Sequence, residues 1–251
     1  MGYSLLIIKD MMLPKTKMNI PSSHYNLPFK KKDIKIMQGN FEPFKSFLSF
    51  GPVEIKKRIL SKSQELYFTR GIRSVTMDEI AASLGISKKT IYLHFRDKRC
   101  LVEASTICFL EQEKCAEKKI YEVSINPIDE IILSTQLMRE MLANVNPAIF
   151  HDLQKYYPQS WKHYLAYKEG FRNVVLRNLN EGIKQGLYRE DINPTIMANL
   201  RIESVDMAFN PEAFPPREFN ILDVQLAFIE HFLRGIVTEK GLKTYEEIKQ
   251  Q

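Results

Sequence analysis

Basic and hydroxyl-bearing side chains are concentrated in one short segment, TMDEIAASLGISKKTIYLHFRDKR, at residues 76–99. Ammonium, imidazole and hydroxyl groups donate hydrogen bonds to phosphate oxygens and to the edges of bases. The chemistry that this segment offers is therefore recognition of a nucleic acid rather than catalysis. Its candidate DNA-contacting residues are Thr76, Ser87, Lys88, Lys89, Thr90, Tyr92, His94 and Lys98.

Two short helices must position these side chains, and the residue types predict where each helix begins and ends. Thr76 and Glu79 have the spacing of a capping box, in which each side chain bonds the backbone N–H of the other residue. Gly85 can adopt the positive φ of a tight turn, and Ser87 can cap a second helix directly after it. Ala81 is small enough to let the two helices cross closely. The segment is therefore predicted to be a helix-turn-helix.

The second predicted helix carries Lys88, Lys89 and Thr90 in its first turn, where a helix that enters the major groove meets base edges. The next polar side chains are placed to reach phosphates: Tyr92, His94 and Lys98. Two alternatives stay open, since the basic turn could be an ordinary solvated helix start and the Tyr92 ring could belong to the core. No Cys or His lies at metal-ligand spacing around His94, so no metal site is predicted.

The charge of the chain is unevenly distributed. The 251 residues carry a formal net charge of +6. Basic residues outnumber acidic ones in residues 1–52 and again in residues 53–100, whereas acidic residues are in excess in residues 101–251. A basic leading part favours a polyanionic partner, although a solvated lysine surface would give the same count.

Several functional classes lack the residue patterns that they need. The sequence contains no nucleophile elbow, phosphate-binding loop, dinucleotide-binding glycine pattern or zinc-protease helix, so neither an enzyme nor a cofactor is predicted. No stretch has the roughly 18–20 consecutive apolar residues of a membrane span, and no signal peptide is evident, so a cytoplasmic location is expected. Three cysteines fit a reducing compartment and are interpreted as small buried hydrophobic residues rather than a redox sensor: Cys100, Cys108 and Cys115.

Apolar residues recur with helical spacing along almost the whole chain after Pro52. Almost no segment alternates with a period of two, so the fold class is predicted to be all-α. Prolines and glycines interrupt residues 1–52, which are interpreted as a flexible basic N-terminal arm. A very apolar helix is expected from about Asn220 to Glu239.

The order and spacing of residues from about Ile55 to Leu101 resemble the TetR family of transcriptional regulators. The residues that carry this resemblance are Gly71-Ile72, Thr76, Ile80-Ala81, Gly85-Ile86-Ser87-Lys88, Ile91-Tyr92, His94-Phe95 and Lys98. The resemblance implies an N-terminal helix-turn-helix DNA-binding domain at residues 53–100. It further implies a C-terminal helical domain for effector binding and dimerisation at residues 101–251.

The same resemblance implies a homodimer in which two helices, at about Pro194 to Asn210 and about Asn220 to Glu239, pack against the partner's pair. The second helix has apolar residues on too many faces for a helix with one buried side, which agrees with that role. The alternative is a helix fully buried within one chain. The expected interface residues are Leu222, Leu226, Ile229, Phe232, Leu233 and Ile236.

A small-molecule cavity is also implied, and aromatic and methionine side chains are its candidate lining. Any one of them could instead belong to a plain helical core. The candidates are Phe109, Met138, Met141, Phe150, Trp161, Tyr164, Tyr167 and Phe171.

These observations together predict a ligand-responsive regulator, expected to be a repressor, that binds a palindromic double-stranded DNA operator as a homodimer. A small-molecule effector would release it from the operator, and no membrane is involved. The alternative is an architectural protein that binds nucleic acid without sequence preference. Footprint symmetry distinguishes the two, because only the dimeric regulator requires a two-fold site.

Overall fold

The computed structural model describes residues 52–249, so the predicted N-terminal arm lies outside the described residues except for Pro52. The described residues form ten helices and no named strand, which confirms the all-α prediction. No helix among them is long and apolar enough to cross a membrane. The helices are α1 (Pro52–Arg70), α2 (Met77–Leu84), α3 (Lys88–Tyr92), α4 (Lys98–Val123), α5 (Pro127–Leu142), α6 (Ala148–Tyr156), α7 (Pro158–Lys184), α8 (Pro194–Ala208), α9 (Ile221–Ile236) and α10 (Glu239–Lys249).

Helices α1 to α3 and the first turns of α4 enclose one hydrophobic core. Ile59, Val75, Ile80 and Ile91 are fully buried there. Leu101 belongs to the same core although it lies on α4. The boundary expected after residue 100 therefore falls inside α4, because the start of this helix packs as part of the DNA-binding module.

Helices α5, α7, α8, α9 and α10 build a second core, in which α8 packs on α7 and α9 while α5 packs on α7, α9 and α10. Its polar centre is the buried carboxylate of Glu130, which accepts hydrogen bonds from Arg177 and from Asn178 Nδ2, the latter at 2.8 Å. Asn178 in turn accepts a hydrogen bond from the buried Tyr188 hydroxyl at 3.1 Å. This network holds α5, α7 and the turn after α7 in a fixed relation.

The apolar helix expected to continue to Glu239 ends at Ile236 instead. The backbone turns extended at Val237, which forms an isolated antiparallel bridge with Tyr188. The N–H of Arg189 donates to the carbonyl of Ile236 at 2.8 Å, and that of Thr238 donates to the carbonyl of Leu187 at 3.0 Å. This tertiary pairing ends the helix at Ile236. The helical spacing of apolar residues in the sequence does not reveal it.

Candidate nucleic-acid interface and effector cavity

The first helix of the predicted helix-turn-helix begins with the expected capping box. Thr76 Oγ1 accepts a hydrogen bond from the N–H of Glu79, and a Glu79 carboxylate oxygen accepts one from the N–H of Thr76 at 2.7 Å. These hydrogen bonds to Thr76 hold the pKa of the Glu79 carboxyl below its ordinary value, and Arg70 adds a smaller effect. The start of α2 is therefore fixed by local contacts.

The turn between α2 and α3 requires a glycine. Gly85 has φ of +65°, in the left-handed region, and its N–H closes the end of α2. Ser87 then caps α3, because its hydroxyl accepts a hydrogen bond from the N–H of Thr90 at 3.0 Å. The five-residue helix α3 follows at once, so a few residues set the direction in which its tip projects.

The tip of α3 faces solvent. Ser87, Lys88 and Lys89 are exposed, while Ile91 on the opposite face is fully buried in the hydrophobic core of α1 to α3. The Lys88 ammonium donates to an Asp78 carboxylate oxygen at 2.8 Å, and this hydrogen bond raises the Lys88 pKa. Lys88 therefore enters any DNA complex from an existing ion pair, whereas the structure gives the Lys89 ammonium no such pair.

The side chains expected to reach phosphates surround the tip. Tyr92 is exposed, which disfavours the alternative that its ring belongs to the core. His94 is half-buried, and Leu93 between them is 74% exposed. Lys98 donates to the backbone carbonyl of Arg73 at 3.3 Å. Lys98 must break or share that hydrogen bond to bind a phosphate, and this competing contact could not be predicted from residue spacing.

A cavity of about 270 Å³ lies behind this module, enclosed mainly by α4, α5, α7, α8 and α9. Its walls include Gln64, Tyr67 and Phe68 of α1, so the cavity reaches the DNA-binding module itself. Most of the lining is aliphatic and aromatic. The structure brings seven of the eight predicted residues to it: Phe109, Met138, Met141, Phe150, Tyr164, Tyr167 and Phe171.

Trp161, the eighth predicted residue, is not part of the lining. Its ring packs beside Tyr164, with the ring centroids 4.9 Å apart, and it lies edge-on to Phe150 at 6.2 Å. Trp161 therefore supports two lining rings from behind. Trp161 lies on the same helix as three of the predicted lining residues. Sequence alone could not distinguish it from them.

The polar part of the lining includes residues that sequence reasoning did not identify. Glu113 faces the cavity from α4, and burial, with a further effect from the Glu117 charge, raises its pKa to about 7. Glu117 accepts a hydrogen bond from the Tyr167 hydroxyl. Arg201 and Gln225 lie in the walls formed by α8 and α9. Residues 101–251 contain many charged side chains, and their number does not indicate which of them are buried.

Comparison with known proteins agrees with this geometry. The family model described as "Bacterial regulatory proteins, tetR family" matches residues 59–105, which include α2, α3 and the start of α4. The chain is 29% identical over 185 residues to the uncharacterized HTH-type transcriptional regulator YvaF of Bacillus subtilis, covering 73% of this chain and 96% of that protein. These matches support a regulator of the TetR family. The predictions of a transcriptional regulator and of a non-enzyme are confirmed by the same comparisons.

Two further proteins show how far the likeness extends. The chain is 25% identical over 145 residues to the HTH-type transcriptional repressor KstR2 of Mycobacterium tuberculosis, covering 54% of this chain and 70% of KstR2. A solved TetR-family regulator from Agrobacterium tumefaciens superposes with a TM-score of 0.64 at 16% identity. That alignment covers 75% of this chain and all of the other, so the fold extends well beyond the matched motif.

The structure places most of the residues expected at a dimer interface inside the single chain. Leu226, Ile229, Phe232, Leu233 and Ile236 are buried, because α9 packs on α5 and α8 and lines the cavity. Leu222 is half-buried, and the assignment of these six residues to an interface stays a prediction. The alternative of a core helix describes most of α9. The exposed apolar side chains of this region are instead Ile196, Leu200, Met207 and Phe219.

The interpretation of the cysteines as buried residues was wrong. Cys100 and Cys108 are half-buried and Cys115 is exposed on α4. The heptad spacing of the last two does place them on one side of the helix, but that side is not in the core. Among residues 52–249, no group of histidine, cysteine and acidic side chains could hold a metal ion.

Proposed function

We propose that this TetR-family regulator is a repressor that binds a palindromic operator as a homodimer and leaves it when a small apolar molecule fills the cavity. The proposed base contacts come from Lys88, Lys89 and Thr90. The proposed phosphate contacts come from Thr76, Ser87, Tyr92, His94 and Lys98. The naming of KstR2 as a repressor supports the sign of the regulation.

One observation carries the ligand response: the cavity and the DNA-binding module share walls. Tyr67 and Phe68 of α1 line the cavity, and so do Val102 and Ser105 of α4. Helix α4 begins six residues after Tyr92, the last residue of α3. Its first turns pack in the hydrophobic core formed by α1 to α3. A ligand that shifts α4 must therefore shift the core on which α3 rests, and with it the spacing between two α3 tips.

The homodimer is supported by an apolar strip on α8. Ile196, Leu200 and Met207 are 62%, 54% and 45% exposed, and they lie on one side of the helix. Exposed large apolar side chains that adjoin one another mark association surfaces. Two copies joined here would present two α3 tips, and a two-fold operator would need half-sites about 34–36 Å apart, one turn of duplex.

The test is selection of binding sites from random duplexes by the full-length protein, followed by footprinting of the selected site. We expect a two-fold symmetric footprint, a dimer by light scattering and an affinity that falls steeply with salt, since several phosphates are neutralised per subunit. An asymmetric footprint without sequence preference would instead support the architectural binder. A strictly monomeric protein on DNA would contradict the proposal.

A further inference from the structure

The cavity contains one cation that no other part of the described structure neutralises. Arg201 lies in the wall formed by α8, and its guanidinium donates to Ser204 Oγ of the same helix at 3.2 Å. No acidic side chain among residues 54–249 forms an ion pair with it. Burial alone lowers the pKa of Arg201 to about 10, and no nearby carboxylate offsets that effect.

Four acidic side chains on α8 and in the cavity wall are engaged elsewhere. Helix α8 carries two of them, and Lys168 binds both, at 2.8 Å for Glu203 and 2.6 Å for Asp206. In the cavity wall, Glu130 is bound by Arg177 and Glu117 by Tyr167. Arg201 is half-buried, and a partly desolvated charge without a partner is costly, so an anion supplied by a ligand would stabilise this arrangement.

A second unsatisfied group lies in the adjacent wall of the cavity. Gln225, on α9, is only 1% exposed and lines the cavity. Its amide nitrogen donates to the backbone carbonyl of Val205 at 2.9 Å, which lies one helical turn after Arg201. That bond fixes the orientation of the amide, and its oxygen has no hydrogen-bond partner. Two polar side chains on neighbouring helices of an apolar cavity thus lack a partner, the Arg201 guanidinium for its charge and the Gln225 amide oxygen for its hydrogen bond.

We propose that the ligand of this cavity is an apolar carboxylic acid whose carboxylate binds the Arg201 guanidinium and whose hydrocarbon part fills the space between α4, α5 and α7. The planar guanidinium fork matches the two carboxylate oxygens. The Gln225 amide oxygen, in the wall formed by α9, accepts a hydrogen bond from a hydroxyl group or a water that enters with the ligand. This inference rests on the proposed function, because it names the chemistry of the molecule that the cavity binds.

A cationic ligand, which Glu113 would attract, is the competing occupant. The charges of Glu113 and Arg201 differ in how they can be neutralised. Glu113 has a pKa of about 7 and becomes neutral by taking up a proton near neutral pH. Arg201 stays charged at that pH, so only an anion brought into the cavity can neutralise it. The carboxylate is therefore the ligand charge that the cavity requires.

The experiment titrates the full-length protein with three probes of equal chain length, decanoate, decanol and decylamine, by calorimetry below their micelle-forming concentrations. We expect decanoate to bind at least about tenfold more tightly than the other two. Arg201→Met should weaken decanoate binding about thirtyfold or more and leave decanol binding unchanged. The same change at the exposed Arg189 is the matched control and should alter neither affinity.

A stability measurement keeps the test decisive if binding is weak. Without ligand, Arg201→Met should melt at a higher temperature than the wild type, because it replaces an unpaired buried charge by an apolar side chain of similar length. If Arg201→Met does not fold, Arg201→Lys serves instead, and it should lose about tenfold in decanoate affinity because the ammonium lacks the fork.

Decanol or decylamine binding as tightly as decanoate would overturn the inference, as would no decanoate binding, or decanoate binding that survives Arg201→Met. The proposed function fails in a different way. If decanoate binds through Arg201 but leaves the operator footprint intact, the inference holds and ligand-induced release is contradicted. If decanoate fails to bind while the symmetric footprint persists, DNA recognition holds and the inference does not.

Discussion

The α2–α3 tip and the cavity satisfy their polar groups in different ways. At the tip, Thr76 and Ser87 bond backbone groups within three residues, so the shape of the DNA-contacting surface is complete before DNA arrives. In the cavity, Ser105 Oγ and Gln225 Oε1 are buried without hydrogen-bond partners, and Arg201 is a cation without an anion. The DNA-contacting surface therefore has its shape without DNA, whereas the cavity gains stability when a ligand supplies the missing partners.

This difference predicts where stability and function can be separated. Substitutions at the tip should change DNA binding and reduce the free energy of unfolding by at most about 1 kcal/mol, because its polar side chains face solvent. Substitutions around the cavity should change stability as well, because its polar side chains are buried. Four changes test the contrast, from the largest expected effect to the smallest.

Gly182→Ala should be the most damaging of them. A Cβ at Gly182 would overlap the ring of Tyr188, which is fully buried and held by Asn178. Because the ring cannot move without breaking the Glu130 network, we expect a loss of about 3 kcal/mol or more in the free energy of unfolding. Gly170→Ala on the same helix is the control, since a Cβ there meets nothing within 4 Å. It should raise stability by about 0.5–1 kcal/mol in urea titrations.

Glu113→Gln should change how stability depends on pH. The pKa of Glu113 is raised from 4.5 to about 7 in the folded protein, so the folded state holds this proton more tightly than the unfolded state. The contribution of the wild-type residue is therefore lost as the pH rises from about 4.5 to about 7. At about pH 8 the variant should be more stable by up to roughly 3 kcal/mol, at about 1.4 kcal/mol per pKa unit.

Urea midpoints measured between about pH 5 and about pH 8 check this prediction. The wild-type midpoint should fall more steeply across that range than the midpoint of the variant. Glu140→Gln, at an exposed position on α5, is the matched control and should follow the wild-type curve. A Glu113→Gln curve parallel to the wild type would show that burial does not hold this proton.

Lys89→Ala should affect DNA and leave folding alone. Lys89 is exposed at the first turn of α3, so we expect a loss of about 1–3 kcal/mol in operator affinity and a relaxed base preference at one position in each half-site. Lys184→Ala, an equally exposed lysine at the end of α7, should leave affinity within about twofold of the wild type. Uniform weakening across all sequences would place Lys89 on a phosphate instead of a base.

How much the sequence could predict follows the same division. The helix-turn-helix was predictable because Thr76, Gly85 and Ser87 act through hydrogen bonds that span at most four residues. Few other residue types can perform these capping and turn roles. The interruption at Val237 and the cavity-facing positions of Arg201 and Gln225 could not be predicted. They depend on which helices meet, and helical periodicity does not identify the neighbour that covers an apolar face.

The burial of the predicted dimer residues on α9 was unpredictable for the same reason. Ile229 and Phe232 are apolar because they line the cavity, and Leu233 and Ile236 because they fill the second core. A helix buried by its own chain and one buried by a partner have the same composition. Exposure separates the two, and it indicates the Ile196, Leu200 and Met207 strip on α8, which sequence reasoning did not single out.

Thr76→Ala should have the smallest effect and the most local one. It removes the hydroxyl that accepts from the Glu79 N–H and leaves one backbone donor at the start of α2 without its cap. A loss of about 1 kcal/mol is expected in the free energy of unfolding. Thr69→Ala is the matched control, because the Thr69 hydroxyl bonds back to the Glu65 carbonyl within α1 and caps nothing. Alanine at that position should be neutral or slightly stabilising. Equal losses at the two threonines would mean that the tip is held by tertiary packing rather than by its own caps, and the contrast with the cavity would then disappear.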